Sequence, residues 1–150
     1  MPPIVWAYPR GEAIEAKGGR DSLYAVDYAT RVANELGADM VKVNIPEYDK
    51  EKSQLYPESY KSLRLNTKEA LEKVVKSAGR TIVLVFGGEN NGDRELLEKV
   101  RISFEAGATG LVFGRNLCQR PFKNALEIAE RIKRLMTESK FSTSLLWSNG

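Results

Sequence analysis

Short apolar runs alternate with longer stretches of helical spacing along the chain. Ile4-Val5-Trp6-Ala7 is β-branched and aromatic, and reads as a strand stopped by Tyr8-Pro9-Arg10-Gly11. Leu23, Val26, Ala29, Ala33 and Leu36 recur at helical spacing, with Asp21 or Ser22 as the cap and Gly37 as the terminator. A second strand runs from Met40 to Asn44 and holds a single lysine, Lys42. Asn66 and Glu69 have capping-box spacing and open a helix whose stripe is Ala70, Leu71, Val74, Val75 and Ala78. Thr81 to Phe86 is a continuous apolar run, the pattern of a strand covered on both faces. Asp93 is placed to cap a helix carrying Leu96, Leu97, Val100 and Phe104. Gly110 to Phe113 forms a fourth strand, and Pro121 starts an amphipathic helix through Ile128, Ile132 and Leu135.

Two segments break the rhythm. The polar connection from Ile45 to about Leu65 is long for a compact domain, so it is expected to be functional or partly helical. From about Ser139 no period is clear, and a tail over 139–150, loose or docked on a partner, is expected after a domain over 1–138.

Four β-α units imply right-handed crossovers and a parallel sheet. The sheet is either open and doubly wound or part of a (β/α)8 barrel, of which four units are half. In both, function collects where the strands end. The residues there are Trp6, Tyr8 and Arg10, then Lys42 and Asn44, then Gly87 and Gly88, then Gly114 and Arg115.

Composition narrows the chemistry. The chain has 150 residues, 42% hydrophobic and 29% charged, which suits one globular domain. The net charge of +3 is spread over interleaved signs, a solvated surface rather than a nucleic-acid stripe. No run reaches the length of a membrane span. One cysteine, Cys118, excludes an internal disulfide and fits a reducing cytoplasm; it reads as a packed thiol. Histidine is absent, which removes Ser-His-Asp and Cys-His catalysis and most zinc sites. Walker and Rossmann glycine patterns are absent too.

What remains is a small set with open alternatives. A lysine held in an apolar strand is costly if charged, and a neutral amine can form a Schiff base with a carbonyl. The alternative is a strand-end lysine whose ammonium reaches water. Tyr8 on the neighbouring strand is either a proton relay or an amphipathic rim residue. Trp6 is either a wall of the site or barrel packing, and Arg10 either meets a phosphate or pairs with a loop carboxylate. Gly87-Gly88 and Gly114-Arg115 can cradle an anion after adjacent strands, or merely turn the chain.

The segments Trp6-Ala7-Tyr8-Pro9-Arg10-Gly11, Gly37 to Lys42, Gly87-Gly88-Glu89 and Gly110 to Asn116 resemble the archaeal and bacterial class I fructose-1,6-bisphosphate aldolases. These belong to a wider group that includes deoxyribose-phosphate aldolase. The resemblance runs to about Met136, and Gln119-Arg120-Pro121-Phe122 is similar to the bacterial branch. It implies that Lys42 is the Schiff-base lysine, that Tyr8 transfers the proton and that Trp6 borders the sugar. It implies that Gly87, Gly88, Gly114 and Arg115 hold a substrate phosphate, and that neither metal nor cofactor is needed. The implied substrate is a phosphorylated sugar, with no nucleic-acid or membrane partner. A related phosphosugar aldolase or synthase, or a non-catalytic remnant that binds a phosphorylated ligand, stands beside this reading.

Two departures accompany the resemblance. Phe86 stands where the family usually has a small residue before the glycine pair. The match is also confined to barrel strands five to eight, without the acidic residue that the family carries on its first strand. A half barrel has two open edges and an uncovered inner face. The chain is therefore expected to form a homo-oligomer, to pair with a separate N-terminal half-barrel, or to flatten into an open sheet.

Overall fold

The computed structural model describes residues 2–86 and 92–147. Strand β1 (Ile4–Trp6) is followed by a one-turn helix α1 (Glu12–Glu15) and by α2 (Leu23–Glu35). Next come β2 (Met40–Val43), a 3-10 turn (Lys52–Leu55), α3 (Glu58–Lys61) and α4 (Thr67–Ser77). The chain continues through β3 (Ile82–Phe86), α5 (Asp93–Glu105), β4 (Gly110–Val112), α6 (Arg115–Cys118) and α7 (Phe122–Trp147).

The strands form one parallel sheet in the order β1-β2-β3-β4. This is the four-unit arrangement expected of half a (β/α)8 barrel. Caps fix the helix starts. The Ser22 hydroxyl accepts from the Ala25 N–H, and Asn66 and Glu69 form the full capping box. Asp93 is not a cap: it is the first residue of α5, and Gly92 precedes it with φ 92° and no side-chain cap. An acidic residue there still favours the positive helix end. The long connection is partly helical, as its length suggested. Where the sequence loses its period, α7 continues to Trp147.

Because side chains alternate along a strand, the sheet has two distinct faces. Val41, Val43, Val83 and Val85 point to the helical layer and are at most 3% exposed. They pack with Leu23 and Val26 of α2 and Leu71 and Val74 of α4. A second cluster joins Leu96, Val100 and Phe104 of α5 to Ile128 and Ile132 of α7. Among the described residues the opposite face has no such layer. There Ile4 is 50% and Ile82 37% exposed. The apolar run of β3 is thus covered on one face only, contrary to its pattern. Ile82 and Leu84 face the side that elements outside this sheet would have to cover.

The connection after β2 is strapped to α2. The Tyr60 hydroxyl donates to Asp27 Oδ2 at 2.6 Å, and Lys73 Nζ of α4 lies 2.8 Å from the same oxygen. Burial and the bond to Asp27 push the Tyr60 phenol well above its ordinary value of 10.0. The neutral phenol is favoured by folding, so this stability is complete below about pH 10 and is lost as the pH rises further. Tyr60→Phe is therefore expected to be destabilised at pH 8 and to lose its share of the decline above pH 10. Urea midpoints measured at both pH values for the two chains check this.

Candidate active site

The strand ends, the loops after β1 and β2, and the starts of α4 and α6 enclose a groove of about 1010 Å³. Its centre is Lys42. The register pairs Trp6 with Lys42 and Lys42 with Leu84, so all three project from the uncovered face. Lys42 is nevertheless only 6% exposed. Its Nζ lies 4.1 Å from the centroid of the Trp6 ring and 5.5 Å from that of Tyr8. The two rings meet edge to face at 6.1 Å. The strand-end alternative, an ammonium carried out to water, does not describe this lysine. Two aromatic rings lie beside its amine.

Trp6 stands on the open face of the sheet. It is 65% exposed, because the interior it would pack into is the open face. What it does touch is Lys42 and Tyr8. Tyr8 follows the strand, and its N–H bonds to the carbonyl of Trp6, a tight bend that turns its ring back toward the lysine. Arg10 and Arg115 line the same groove from the loop after β1 and from the start of α6. Gly114 precedes α6, but that helix is a single turn, so little positive helix end accompanies Arg115. Gly87, Gly88 and the Phe86 side chain lie outside the described residues. Cys118 is exposed on the one-turn α6 rather than packed; Leu117 is the residue of that turn that packs against the core.

Asn44, already expected at the strand ends, is joined in the groove by polar residues that the sequence did not single out as its lining, Asp21 among them. Asn44 Nδ2 donates to Asp21 Oδ1 at 2.6 Å, and the Glu47 N–H donates to the Asp21 carbonyl at 2.7 Å. Asp21 thereby ties the loop before α2 to the connection after β2, and Arg20 pairs with its other oxygen at 3.2 Å. Asp21 was visible only as a possible cap. Its partner is 23 residues away, and no local pattern encodes that contact. Lys99 and Thr67 complete the wall, giving the rim several cations around the buried amine. Among the described residues no group of three or more His, Cys, Asp or Glu could hold a metal ion. No helix among them is long and apolar enough to cross a membrane.

This arrangement can do carbonyl chemistry. A buried amine stands beside an indole and a phenol, and arginine and lysine side chains line the same groove, the groups that Schiff-base chemistry on an anionic carbonyl compound calls for.

Comparison with known proteins gives the family. The model of the DeoC/LacD family aldolases matches residues 1–120. The class 1 fructose-bisphosphate aldolase of Halobacterium salinarum is 35% identical over 120 residues, 80% of this chain and 37% of that protein. The fructose-bisphosphate aldolase/6-deoxy-5-ketofructose 1-phosphate synthase of Methanocaldococcus jannaschii is 34% identical over 141 residues, 91% of this chain and 38% of that protein. A solved archaeal fructose-1,6-bisphosphate aldolase, with its catalytic lysine covalently bound to the carbinolamine intermediate, superposes with a TM-score of 0.69 at 30% identity. That match covers 91% of this chain and 45% of the aldolase. The chain thus spans less than half the length of these relatives, and its four β-α units correspond to part of their barrels. On the match over residues 1–120, the chain belongs to the DeoC/LacD family of aldolases.

Proposed function

We propose that the chain binds a phosphorylated sugar and forms a Schiff base through Lys42, in the manner of a class I fructose-1,6-bisphosphate aldolase. The observation that carries this is the burial of Lys42 on an otherwise open face, its Nζ 4.1 Å from the Trp6 ring and 5.5 Å from Tyr8. The Nζ lone pair adds to the substrate carbonyl, and loss of water leaves a protonated imine. That imine accepts the electron pair released when the neighbouring C–C bond breaks, so an aldehyde departs and an enamine stays on the enzyme. Tyr8 takes the hydroxyl proton as the bond breaks and returns one to the enamine carbon. For fructose 1,6-bisphosphate the products are glyceraldehyde 3-phosphate and dihydroxyacetone phosphate. Arg115, Gly114, Gly87 and Gly88 hold one phosphate, and Arg10 reaches the other.

A second reading keeps the chemistry and changes the sugar. The Methanocaldococcus relative carries a synthase activity in its name beside the aldolase, and the groove is open enough to take another phosphosugar. Completion of the pocket by a second body over the open face, another copy of this chain or a separate four-unit half, is part of either reading. A reducing cytoplasm is the compartment that suits the single cysteine.

Exchange of deuterium from solvent into dihydroxyacetone phosphate tests the proposal, because interconversion of the imine and the enamine takes up a solvent proton at that carbon. The parent chain is expected to label it. Tyr8→Phe should slow labelling by roughly 10²–10⁴-fold while imine formation persists. Labelling no faster than in buffer would count against the proposal.

A further inference from the structure

We infer that Asn44 holds a hydroxyl of the substrate beside Lys42, and that Asp21 is the positioning residue that turns its amide to do so. The inference deepens the imine reading and rests on it for where the substrate carbonyl sits. β2 ends at Val43, and side chains alternate along a strand, so Asn44 lies on the face that carries Lys42. Two residues of extended chain separate their Cα atoms by about 6.6 Å. Both line the groove. A short carbon chain bonded to Lys42 Nζ therefore has Asn44 one pleat beyond it, toward the strand ends.

An asparagine amide can turn over, presenting either its oxygen or its nitrogen to a given partner. Asp21 removes that choice. A carboxylate has acceptors only, so the amide must give it the nitrogen, and Nδ2 donates to Oδ1 at 2.6 Å. The carbonyl oxygen of Asn44 is then on the far side of the amide, and no group among the described residues donates to it. Asp21 is itself firmly mounted. Its backbone carbonyl accepts the Glu47 N–H at 2.7 Å, and Arg20 Nε donates to its Oδ2 at 3.2 Å. The next residue, Ser22, caps α2 and bridges to Glu47. The loop is thus tied to the connection after β2 without the Asn44 bond, and what that bond adds is one fixed acceptor. An acceptor beside the amine selects a hydroxyl over a hydrogen or an alkyl group. The ligand class is a phosphorylated ketone with a hydroxyl on the carbon next to its carbonyl.

Calorimetric titration of the 150-residue chain tests this, with dihydroxyacetone phosphate and with hydroxyacetone phosphate, the same ketone without the free hydroxyl. The quantity read is the ratio of the two dissociation constants. Comparing that ratio between chains cancels the unequal reactivity of the two carbonyls. The parent should favour the hydroxylated compound, and Asn44→Ala should lower the preference roughly tenfold. Asp21→Asn should lower it about twofold or more. An amide has one oxygen for two donors, and when that oxygen serves Arg20 its nitrogen turns the Asn44 amide over. This variant keeps a hydrogen bond between the two residues, so its urea midpoint should stay near the parent's. A bond that only ties the loop would weaken both compounds alike in the variants. A preference unchanged in both variants therefore overturns the proposal, as does a parent chain that binds neither compound. A preference lost in Asn44→Ala and kept in Asp21→Asn overturns the part given to Asp21. Borohydride trapping on the same samples keeps the two readings apart. A preference that depends on Asn44, without an adduct on Lys42, fails the imine reading alone. An adduct on Lys42 with a preference indifferent to Asn44 fails this inference alone.

Discussion

Gly18→Ala is expected to be among the most destabilising single substitutions outside the core, at roughly 3–5 kcal/mol. Two effects add there. Gly18 has φ +101°, a conformation that L side chains rarely adopt. A Cβ at this position would also overlap the Tyr56 ring, which is 3% exposed. The ring cannot retreat cheaply, because Tyr56 ends the 3-10 turn and Tyr60, four residues on, is held by Asp27. Gly11→Ala is the control. Its φ of +107° is similar, but nothing lies within 4 Å of the added carbon. It should cost only the backbone strain, about 1–3 kcal/mol. The difference between the two chains in urea denaturation measures how firmly the connection after β2 is seated. Since that connection supplies Ile45 and Tyr48 to the groove, Gly18→Ala should also weaken ligand binding.

Lys42→Met is expected to abolish imine formation outright. Methionine keeps an unbranched stem of similar volume beside Trp6 and Tyr8, so the groove should keep its shape. It lacks the nitrogen that must bond to the carbonyl, and the remaining residues offer no substitute at that position. Lys42→Arg makes the complementary point. A positive charge near Trp6 is retained, but a guanidinium does not add to carbonyls. If charge alone served the function, arginine would retain a measurable part of it and methionine none. If the amine is the nucleophile, both lose deuterium exchange to the buffer rate.

The alternation of β-branched runs with helical stripes was enough to place four β-α units. Parallel sheets impose that order, and glycines such as Gly37 end the helices where they must turn. Lys42 was legible as a position, since a lone lysine within Met40 to Asn44 stands out. Its burial was not, because burial depends on contacts between elements, such as those with Trp6 and Tyr8 that the pairing of β1 with β2 brings about. Trp6 was legible as part of the rim but not as the lysine's cover. Nor could local pattern reveal contacts between distant segments. Asn44 with Asp21, Tyr60 with Asp27 and Tyr56 over Gly18 each join segments more than 20 residues apart. Asp27 illustrates the difficulty. At its place in α2 an acidic residue reads as solvated surface, yet α4 and Tyr60 bury it. Cys118 erred in the other direction, since an isolated thiol resembles core and here sits on an exposed turn.

The central claim is that Lys42 is a nucleophile. The chain should be incubated with dihydroxyacetone phosphate, reduced with borohydride, digested and mapped by mass spectrometry. The account predicts one reduced adduct per chain, on Lys42, that competing inorganic phosphate diminishes. Lys42 left unmodified while surface lysines carry the adduct would contradict it.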